Sequence, residues 1–519
     1  MKEKILRDAK IWKIFVVSSL IGIIGGILDT IFDLTLARVP QMVLDHQELT
    51  TTLVFLGILL VVNGIDGTFS KASHKWLYWR VANREYSRLL EKEYSSNINY
   101  IMNTHTGALN ATINEYSNYT AEMVVLMKRA LYFLPNIVMF FYKTYQICGL
   151  GSVLINIIVL LTTGLLCNIG CKKFASKERI KANADLRRIT QDNMQNIKTL
   201  RYLGKKEFAM KRQKEAQDAA IVHSLQIGRS FVISELPVGV LFPIIMNLFI
   251  IGNNGGASIT DITYIIASSG TLFGAINIIT EFIDTLTNRS DCKQSLKELN
   301  TVAPEEEFVG LENGLTLTNV KFGYKESDIE ITIPHIHLNK GERMVVTGES
   351  GQGKSSLANL LVGVIKPYEG KVPHHKTFYI HQETECLDDS IRNNLCFDED
   401  VPEEELYDLL DRIGLKDWVI ALPDKLDSNI GERGTKVSTG QKQRINILRA
   451  VLRMRNIDEG CLVIIDEPTS NLDDKTEAMA VKLIDEYCKN TMIVVTHRPA
   501  IKDICDKEVR IENHTFTEV

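Results

Sequence analysis

Arg343-Met-Val-Val-Thr347-Gly348-Glu349-Ser350-Gly351-Gln352-Gly353-Lys354-Ser355-Ser356 decides how the second half of this chain folds. RMVVT is a short apolar run of strand type. It passes straight into G-x-x-x-x-G-K-[ST], and an apolar helical stretch follows from Leu357. In that strand–loop–helix setting the motif has a mechanism. Glycines let backbone N–H groups converge on phosphate oxygens, and the helix N-terminus adds its dipole. Gly348 through Ser356 are therefore candidate nucleotide contacts. Lys354 is placed to reach the β- and γ-phosphates, and Ser355 to ligate Mg²⁺.

Two further apolar runs carry chemistry at their ends. Cys461–Ile465 (CLVII) delivers Asp466 and Glu467, and ligands of a parallel sheet sit beyond the carboxyl ends of its strands. Asp466 suits a Mg²⁺ position, and Glu467 suits polarisation of an attacking water. Alone, such a pair is an ordinary solvated strand end; beside a phosphate loop it reads as catalytic. Thr491–Val495 ends in Thr496-His497, and His497 could sense the γ-phosphate, the alternative being a structural histidine.

The 519-residue chain is too long for one ordinary domain, and its composition is uneven. Long apolar runs dominate up to about Asp284, and the rest has the balance of a soluble α/β protein. The net charge of −5 shows no basic bias toward nucleic acid. Nine cysteines are scattered without CxxC pairs, which fits reduced thiols rather than a disulfide framework or a zinc site. The first apolar run is too long for a signal peptide.

A membrane-crossing helix needs about 20 mostly apolar residues. Six stretches qualify: Ile11–Leu36, Thr51–Phe69, Met123–Cys148, Gly149–Cys171, Phe231–Ile251 and Ile259–Ile283. The second is the shortest, with Thr51–Ile65 open to an alternative as a buried soluble helix. A tight turn is expected near Gly149–Gly151. Basic residues in Lys172–Lys214 and Lys71–Lys92, with Lys2, Lys4 and Arg7, place those segments and the N-terminus in the cytoplasm. Phe69–Thr120 and Lys172–Gly228 read as long helical excursions that turn at Thr106-Gly107 and at Gly204-Lys205. The N-x-T sequons at Asn110 and Asn118 fall on the first of these and are discarded. Asp29, Asp33, Lys143, Glu235, Glu281 and Asp284 are charges inside or at the ends of spans. For Asp29, Asp33 and Lys143 an interfacial salt bridge is the plainer expectation, and a cavity for cationic or amphipathic substrates the sharper one. Pro237 and Pro243 suggest a kink in the fifth span. The resulting division is a membrane domain over residues 1–290, a linker over 291–312 and a nucleotide-binding domain over 313–519.

Taken in order, these residues resemble the ATP-binding cassette (ABC) family over nearly the whole chain. Val437-Ser438-Thr439-Gly440-Gln441 looks like its signature, with the basic and apolar helix KQRINILRAVL behind it. Gln382 looks like the glutamine that ligands Mg²⁺ and contacts the membrane domain. Ser470–Asp473 looks like the D-loop, and Tyr324 like the aromatic that stacks on adenine, with Phe322 as second choice. Ser428–Gly434 looks like a loop placed against the membrane domain. Thr106–Leu109 and Gln195–Glu207 are similar to the two coupling regions.

The resemblance implies a multidomain membrane protein: a six-helix all-α transmembrane domain of exporter type and an α/β P-loop nucleotide-binding domain. It implies ATP and Mg²⁺ as cofactors and a second half-transporter as partner. Ser438, Gly440, Gln441 and Asp473 would close over ATP on that partner. Export of a peptide, lipid or hydrophobic small molecule across the plasma membrane by alternating access is the expected function. An importer of the same fold, or a sensor without net transport, are the alternatives. Thr439 stands where the family has glycine, which puts a heterodimer slightly ahead of a homodimer. Gly370–Gln382 is shorter than in most exporters, suggesting a trimmed peripheral β-subdomain.

Overall fold

Long apolar runs with few breakers leave the backbone one way to satisfy its own hydrogen bonds away from water, the helix. The computed structural model describes residues 9–96, 106–174, 177–234, 242–254, 258–297, 310–311, 314–324, 329–382, 385–458 and 460–519. It divides into one unit over residues 1–96 and 104–302 and a second that takes in residues 303–519.

The first unit is helical: α1 (Ala9–Leu44), α2 (Thr50–Tyr94), α3 (Thr106–Phe174), α4 (Lys177–Gln195), α5 (Ile197–Tyr202), α6 (Lys206–Ser234), α7 (Phe242–Asn254) and α8 (Ile259–Ser295). Among the described residues, four helices are long and apolar enough to cross a membrane: α1, α2, α8 and the Leu109–Thr162 part of α3. That part of α3 contains the expected third span and the fourth as far as Thr162. They meet at Gly149, whose φ of 76° and ψ of −179° break the helix where the turn was expected. A left-handed φ there favours glycine. The fifth span runs through residues 235–241, so Glu235 and Pro237 lie outside the described residues. Pro243 stands in the first turn of α7, which begins directly after residues outside those described.

Packing decides between membrane and soluble origins. Leu53, Val54, Phe55, Ile58, Leu60, Val61 and Ile65 of α2 are all exposed, which rules out Thr51–Ile65 as a buried soluble helix in this chain. Below that stretch Leu77, Val81 and Ala82 of α2 pack with Ile11 and Phe15 of α1 and Ala121 and Val124 of α3. A second cluster joins Ala37, Cys148, Ile251, Tyr264 and Ile265. Helix α8 begins with a capping box: Ser258 Oγ accepts from the Asp261 N–H while the Asp261 side chain accepts from the Ser258 N–H. Between α5 and α6, Gly204 takes φ +64°, at the second expected turning point.

The salt bridge among Asp29, Asp33 and Lys143 does not form. Asp29 instead accepts from Tyr132 Oη at 3.0 Å and from Asn63 Nδ2 at 3.1 Å. Aromatic and amide donors from α3 and α2 reach it first, because the rotation of each helix sets which side chains face α1. Glu281 pairs with Arg129 at 2.5 Å.

The second unit carries an eight-stranded sheet in the order β1-β2-β8-β7-β3-β6-β5-β4. The strands are β1 (Leu315–Phe322), β2 (Ile331–Leu338), β3 (Arg343–Gly348), β4 (Thr377–Ile380), β5 (Leu462–Asp466), β6 (Met492–Val495), β7 (Lys507–Glu512) and β8 (Thr515–Glu518). From β7 to β4 the neighbours are parallel, and β1–β2 and β7–β8 are antiparallel. All five residues of β5 and all four of β6 are buried, as strands covered on both faces must be. Between them run α9 (Lys354–Leu361), α10 (Ile391–Cys396), α11 (Glu403–Arg412), α12 (Lys416–Ile420), α13 (Thr439–Arg455) and α14 (Asp474–Tyr487).

Candidate functional site

Parallel strands end at a common edge, so their C-terminal loops gather there. Register makes this concrete. Val346 of β3 is level with Val495 of β6, Val495 with Asp466 of β5, and Ile465 with Ile380 of β4. The loop 349–353, the pair Asp466-Glu467, Thr496-His497 and His381-Gln382 therefore leave the sheet along one edge.

The loop's glycines answer to geometry. Gly348 has φ +149°, and a Cβ on it would meet the Ile511 carbonyl oxygen at 2.6 Å. Gly353 has φ +114°, and a Cβ would meet Ile331 Cδ1 at the same distance. Gly353 then caps α9 in the left-handed conformation. Lys354 Nζ donates to the carbonyls of Gly348 at 2.7 Å and Glu349 at 2.9 Å, which draws the side chain across its own loop. Gln352 is held by His514, whose N–H donates to Oε1 at 3.3 Å. Ser356 is buried behind the loop, whereas Glu349, Ser350, Gly351 and Ser355 are exposed.

The carboxylates are arranged for different work. Asp466 is 2% exposed, with the Ser355 hydroxyl close to its carboxylate and Tyr379 Oη donating to Oδ2 at 3.4 Å. Burial raises its pKa above the ordinary carboxylate range, with the neighbouring Glu467 adding to the effect and the Ser355 bond opposing it. Burial likewise pushes the Tyr379 phenol up. Asp466 Oδ1 is buried without a hydrogen-bond partner. A buried, unpaired carboxylate oxygen beside a serine hydroxyl is a hard-oxygen donor set, and it fits Mg²⁺. Glu467 has φ +47°, an uncommon conformation for a non-glycine residue. Its N–H is tied to the Val495 carbonyl at 2.8 Å. Its Oε1 lies 2.8 Å from His497 Nδ1, and Thr496 Oγ1 is 3.5 Å from Oε2.

The two aromatic candidates separate cleanly. Phe322 is fully buried in the core between β1 and β2, so it cannot stack on a ligand; its alternation along β1 points it inward. Tyr324, past the end of the strand, is 46% exposed and accepts from Asn359 Nδ2 of α9 at 3.0 Å. Gln382 is exposed just beyond β4.

The signature residues form a group of their own. Ser438 caps α13, with Ser438 Oγ accepting from the Gln441 N–H at 3.3 Å and Gln441 Oε1 accepting from the Ser438 N–H at 2.8 Å. Thr439 occupies the first helical position with a negative φ, so glycine is not demanded by the backbone there. Gly440 lies beside the Asn471 carbonyl. Asp473 caps α14 by accepting from the Thr476 N–H at 3.0 Å. Among the described residues, no hydrogen bond joins 438–441 to 348–355.

Sequence reasoning missed the residues that brace these loops. Gln443 Nε2 donates to the Pro468 carbonyl at 2.6 Å and so ties α13 to the segment after Glu467. Arg498 pairs with Glu477 at 2.9 Å and donates to the carbonyls of Ser470 and Leu472. Thr469 Oγ1 also donates to Glu477 at 3.0 Å. Arg498→Ala would strand the buried Glu477 carboxylate. It should destabilise the protein by about 3 kcal/mol or more, seen as a lower thermal-unfolding midpoint of the full chain in detergent. An unchanged midpoint would show that the pair is dispensable.

A glycine-rich loop between a strand and a helix, with a buried Asp and a Glu–His pair at the same sheet edge, defines a P-loop nucleotide-binding protein. Residues 332–470 match the family model described as ABC transporter. A probable ABC transporter ATP-binding/permease protein of Haemophilus influenzae is 30% identical over 275 residues, covering 50% of this chain and 49% of that protein. The heterocyst differentiation ATP-binding protein HepA of Nostoc sp. is 24% identical over 84% of this chain and 76% of its own length. An ATP-dependent lipid A-core flippase of Pseudomonas aeruginosa is 25% identical over 66% of this chain and 61% of its own. The chain thus spans about half the length of the first of these and more of the others. The structure of a bacterial Atm1-family ABC exporter with ATP bound superposes with TM-score 0.80 at 18% identity, over 98% of this chain and 95% of that one. Residues 332–470 thus carry an ABC transporter domain, and the chain as a whole has the fold of that exporter structure, helical in its N-terminal unit and sheet-containing in its second.

Proposed function

We propose that this chain is an ATP-hydrolysing half-transporter that dimerises and exports an amphipathic or hydrophobic substrate across the plasma membrane by alternating access. The observation that supports it most is the gathering of the 348–355 loop, the Ser355–Asp466 pair and the Glu467–His497 pair at one sheet edge. The similarity to exporter-type relatives, one of them named as a lipid flippase, supports the same reading.

Gly348–Ser356 would cradle the phosphates with backbone N–H groups, and Lys354 would turn from its loop carbonyls to the β- and γ-phosphates. Tyr324 would stack on the adenine. Ser355, Gln382 and Asp466 would hold Mg²⁺, which neutralises phosphate charge when bound. Glu467 would take a proton from the attacking water, and His497, held at Oε1, would fix the carboxylate's direction. The separation of Ser438, Gly440, Gln441 and Asp473 from the chain's own phosphate loop supports their use on a partner's nucleotide. With Glu467 and His497 both present and Thr439 in the signature, a heterodimer is favoured slightly over a homodimer.

We count six spans by taking α3 twice, on either side of Gly149, and residues 231–251 as the fifth. The domain boundaries follow as 1–290, 291–312 and 313–519, with the N-terminus and nucleotide-binding domain in the cytoplasm. In proteoliposomes of the assembled dimer, hydrolysis should depend on Mg²⁺ and on pairing, and ATP supplied on the nucleotide-binding side should drive substrate away from that side. Equal hydrolysis by dispersed monomers would remove the dimer from this reading, and uptake toward the ATP side would make it an importer.

A further inference from the structure

Between α1, α2 and α3 lies a cavity of about 290 Å³. Its wall includes Ser70, Lys71 and His74 of α2 and Lys128, Arg129 and Tyr132 of α3, and among the described residues no carboxylate lines it. Lys128 is 2% exposed, and its ammonium donates to the Ser73 hydroxyl. Neither Lys71 nor Lys128 makes an ion pair among the described residues, while Arg129 is paired with Glu281 at 2.5 Å. The carboxylates of this region are engaged outside the lining. Asp29 takes Tyr132 and Asn63 as donors. Asp66, within electrostatic reach of Lys128, is packed against Gly25 of α1. The wall that faces the cavity is therefore cationic.

Position adds to charge. Lys71 lies two residues past Phe69, where the second apolar stretch ends, and Lys128 lies five residues past Met123, where the third apolar stretch begins. The cavity sits at the end of the spans from which α2 runs on beyond the apolar zone. In that zone Leu20 and Ile24 of α1 and Ile65 and Phe69 of α2 are exposed. An ionised side chain placed at membrane depth is costly, and such residues face cavities that accept polar groups. A volume of about 290 Å³ holds a small head group and is too small for a peptide.

We propose that this cavity binds the anionic head group, phosphate or carboxylate, of an amphiphile whose apolar tail lies along the exposed apolar surface of α1 and α2. This deepens the proposed export reading by giving its substrate a charge, and it replaces the cationic preference that Asp29 and Asp33 suggested.

The test is equilibrium binding to the purified full chain in maltoside micelles without nucleotide, followed by thermophoresis. Dodecyl phosphate should bind, and Lys71→Gln, an exposed and structurally mild change, should weaken it about tenfold. Lys128→Gln should weaken it further. Dodecyltrimethylammonium should not compete. Wild-type affinity in Lys71→Gln and Lys128→Gln alike, or equal competition by the trimethylammonium probe, would overturn the anion site. Competition by inorganic phosphate as effective as that of dodecyl phosphate would overturn the amphiphile and leave a soluble anion in its place. ATP hydrolysis by the same preparation is scored separately. Binding without hydrolysis refutes the export reading alone, and hydrolysis without binding refutes the cavity alone.

Discussion

Glu467→Gln is expected to leave ATP bound and to cut hydrolysis in the assembled dimer by about a hundredfold or more, the range that removal of a positioned general base produces. The substitution is close to isosteric. The amide oxygen can still accept from His497 Nδ1 where Oε1 now lies 2.8 Å away, and the N–H bond to the Val495 carbonyl does not involve the side chain. Loop geometry and nucleotide affinity should therefore persist, while proton acceptance is lost. Glu467 is 8% exposed and sits at φ +47°, so its carboxylate is held in place by the backbone rather than drifting in solvent. Turnover of radiolabelled ATP beside equilibrium binding of the same nucleotide separates the two effects. A rate within about threefold of wild type, far short of what a general base contributes, would remove Glu467 from the chemistry.

Lys354→Ala should weaken ATP binding by about tenfold or more, because it deletes a charge-assisted contact to phosphate. The fold should survive the change. Among the described residues Lys354 Nζ bonds only carbonyls of its own loop, at 2.7 and 2.9 Å. Lys354→Arg is expected to rescue poorly, since a planar guanidinium does not fit where a compact ammonium folds back across the loop. Fluorescent-nucleotide titration checks both variants against a melting curve. Unchanged affinity in Lys354→Ala with an unchanged melt would mean that the loop binds phosphate through its backbone alone.

Much of the candidate nucleotide site was legible because its determinants are local. Gly348, Gly353, Lys354 and Ser355 lie within one turn of chain, and the left-handed dihedrals that demand glycine are properties of that segment itself. Asp466 and Glu467 were readable because they end an apolar run whose burial the composition shows. Tyr379 was not, since its hydroxyl reaches Asp466 across 87 residues and its own neighbours mark it only as a strand aromatic. Gln443 and Arg498 escaped for the same reason, bracing the site through partners 25 and 21 residues away. Between Phe322 and Tyr324 the decision rested on which residue still belongs to the strand and turns inward, and that depends on where β1 ends.

In the membrane half, apolar length was enough to place helices, and the break at Gly149 followed from its glycines. The partners of the intramembrane charges were not readable. Asp29 and Lys143 are complementary on paper, yet Asp29 is bound by Tyr132, 103 residues away, and by Asn63, 34 residues away.

By itself the sequence determined a two-part chain, a phosphate-binding loop and the carboxylates that accompany it. These depend on burial and backbone conformation within a few residues, and such demands are written in neighbouring side chains. Only the tertiary structure decided which cations line the cavity between α1, α2 and α3, which acid each of them meets, and what braces Glu467. Those outcomes depend on helix rotation and strand register, through which small angular differences among distant segments select one partner out of several of the same chemistry.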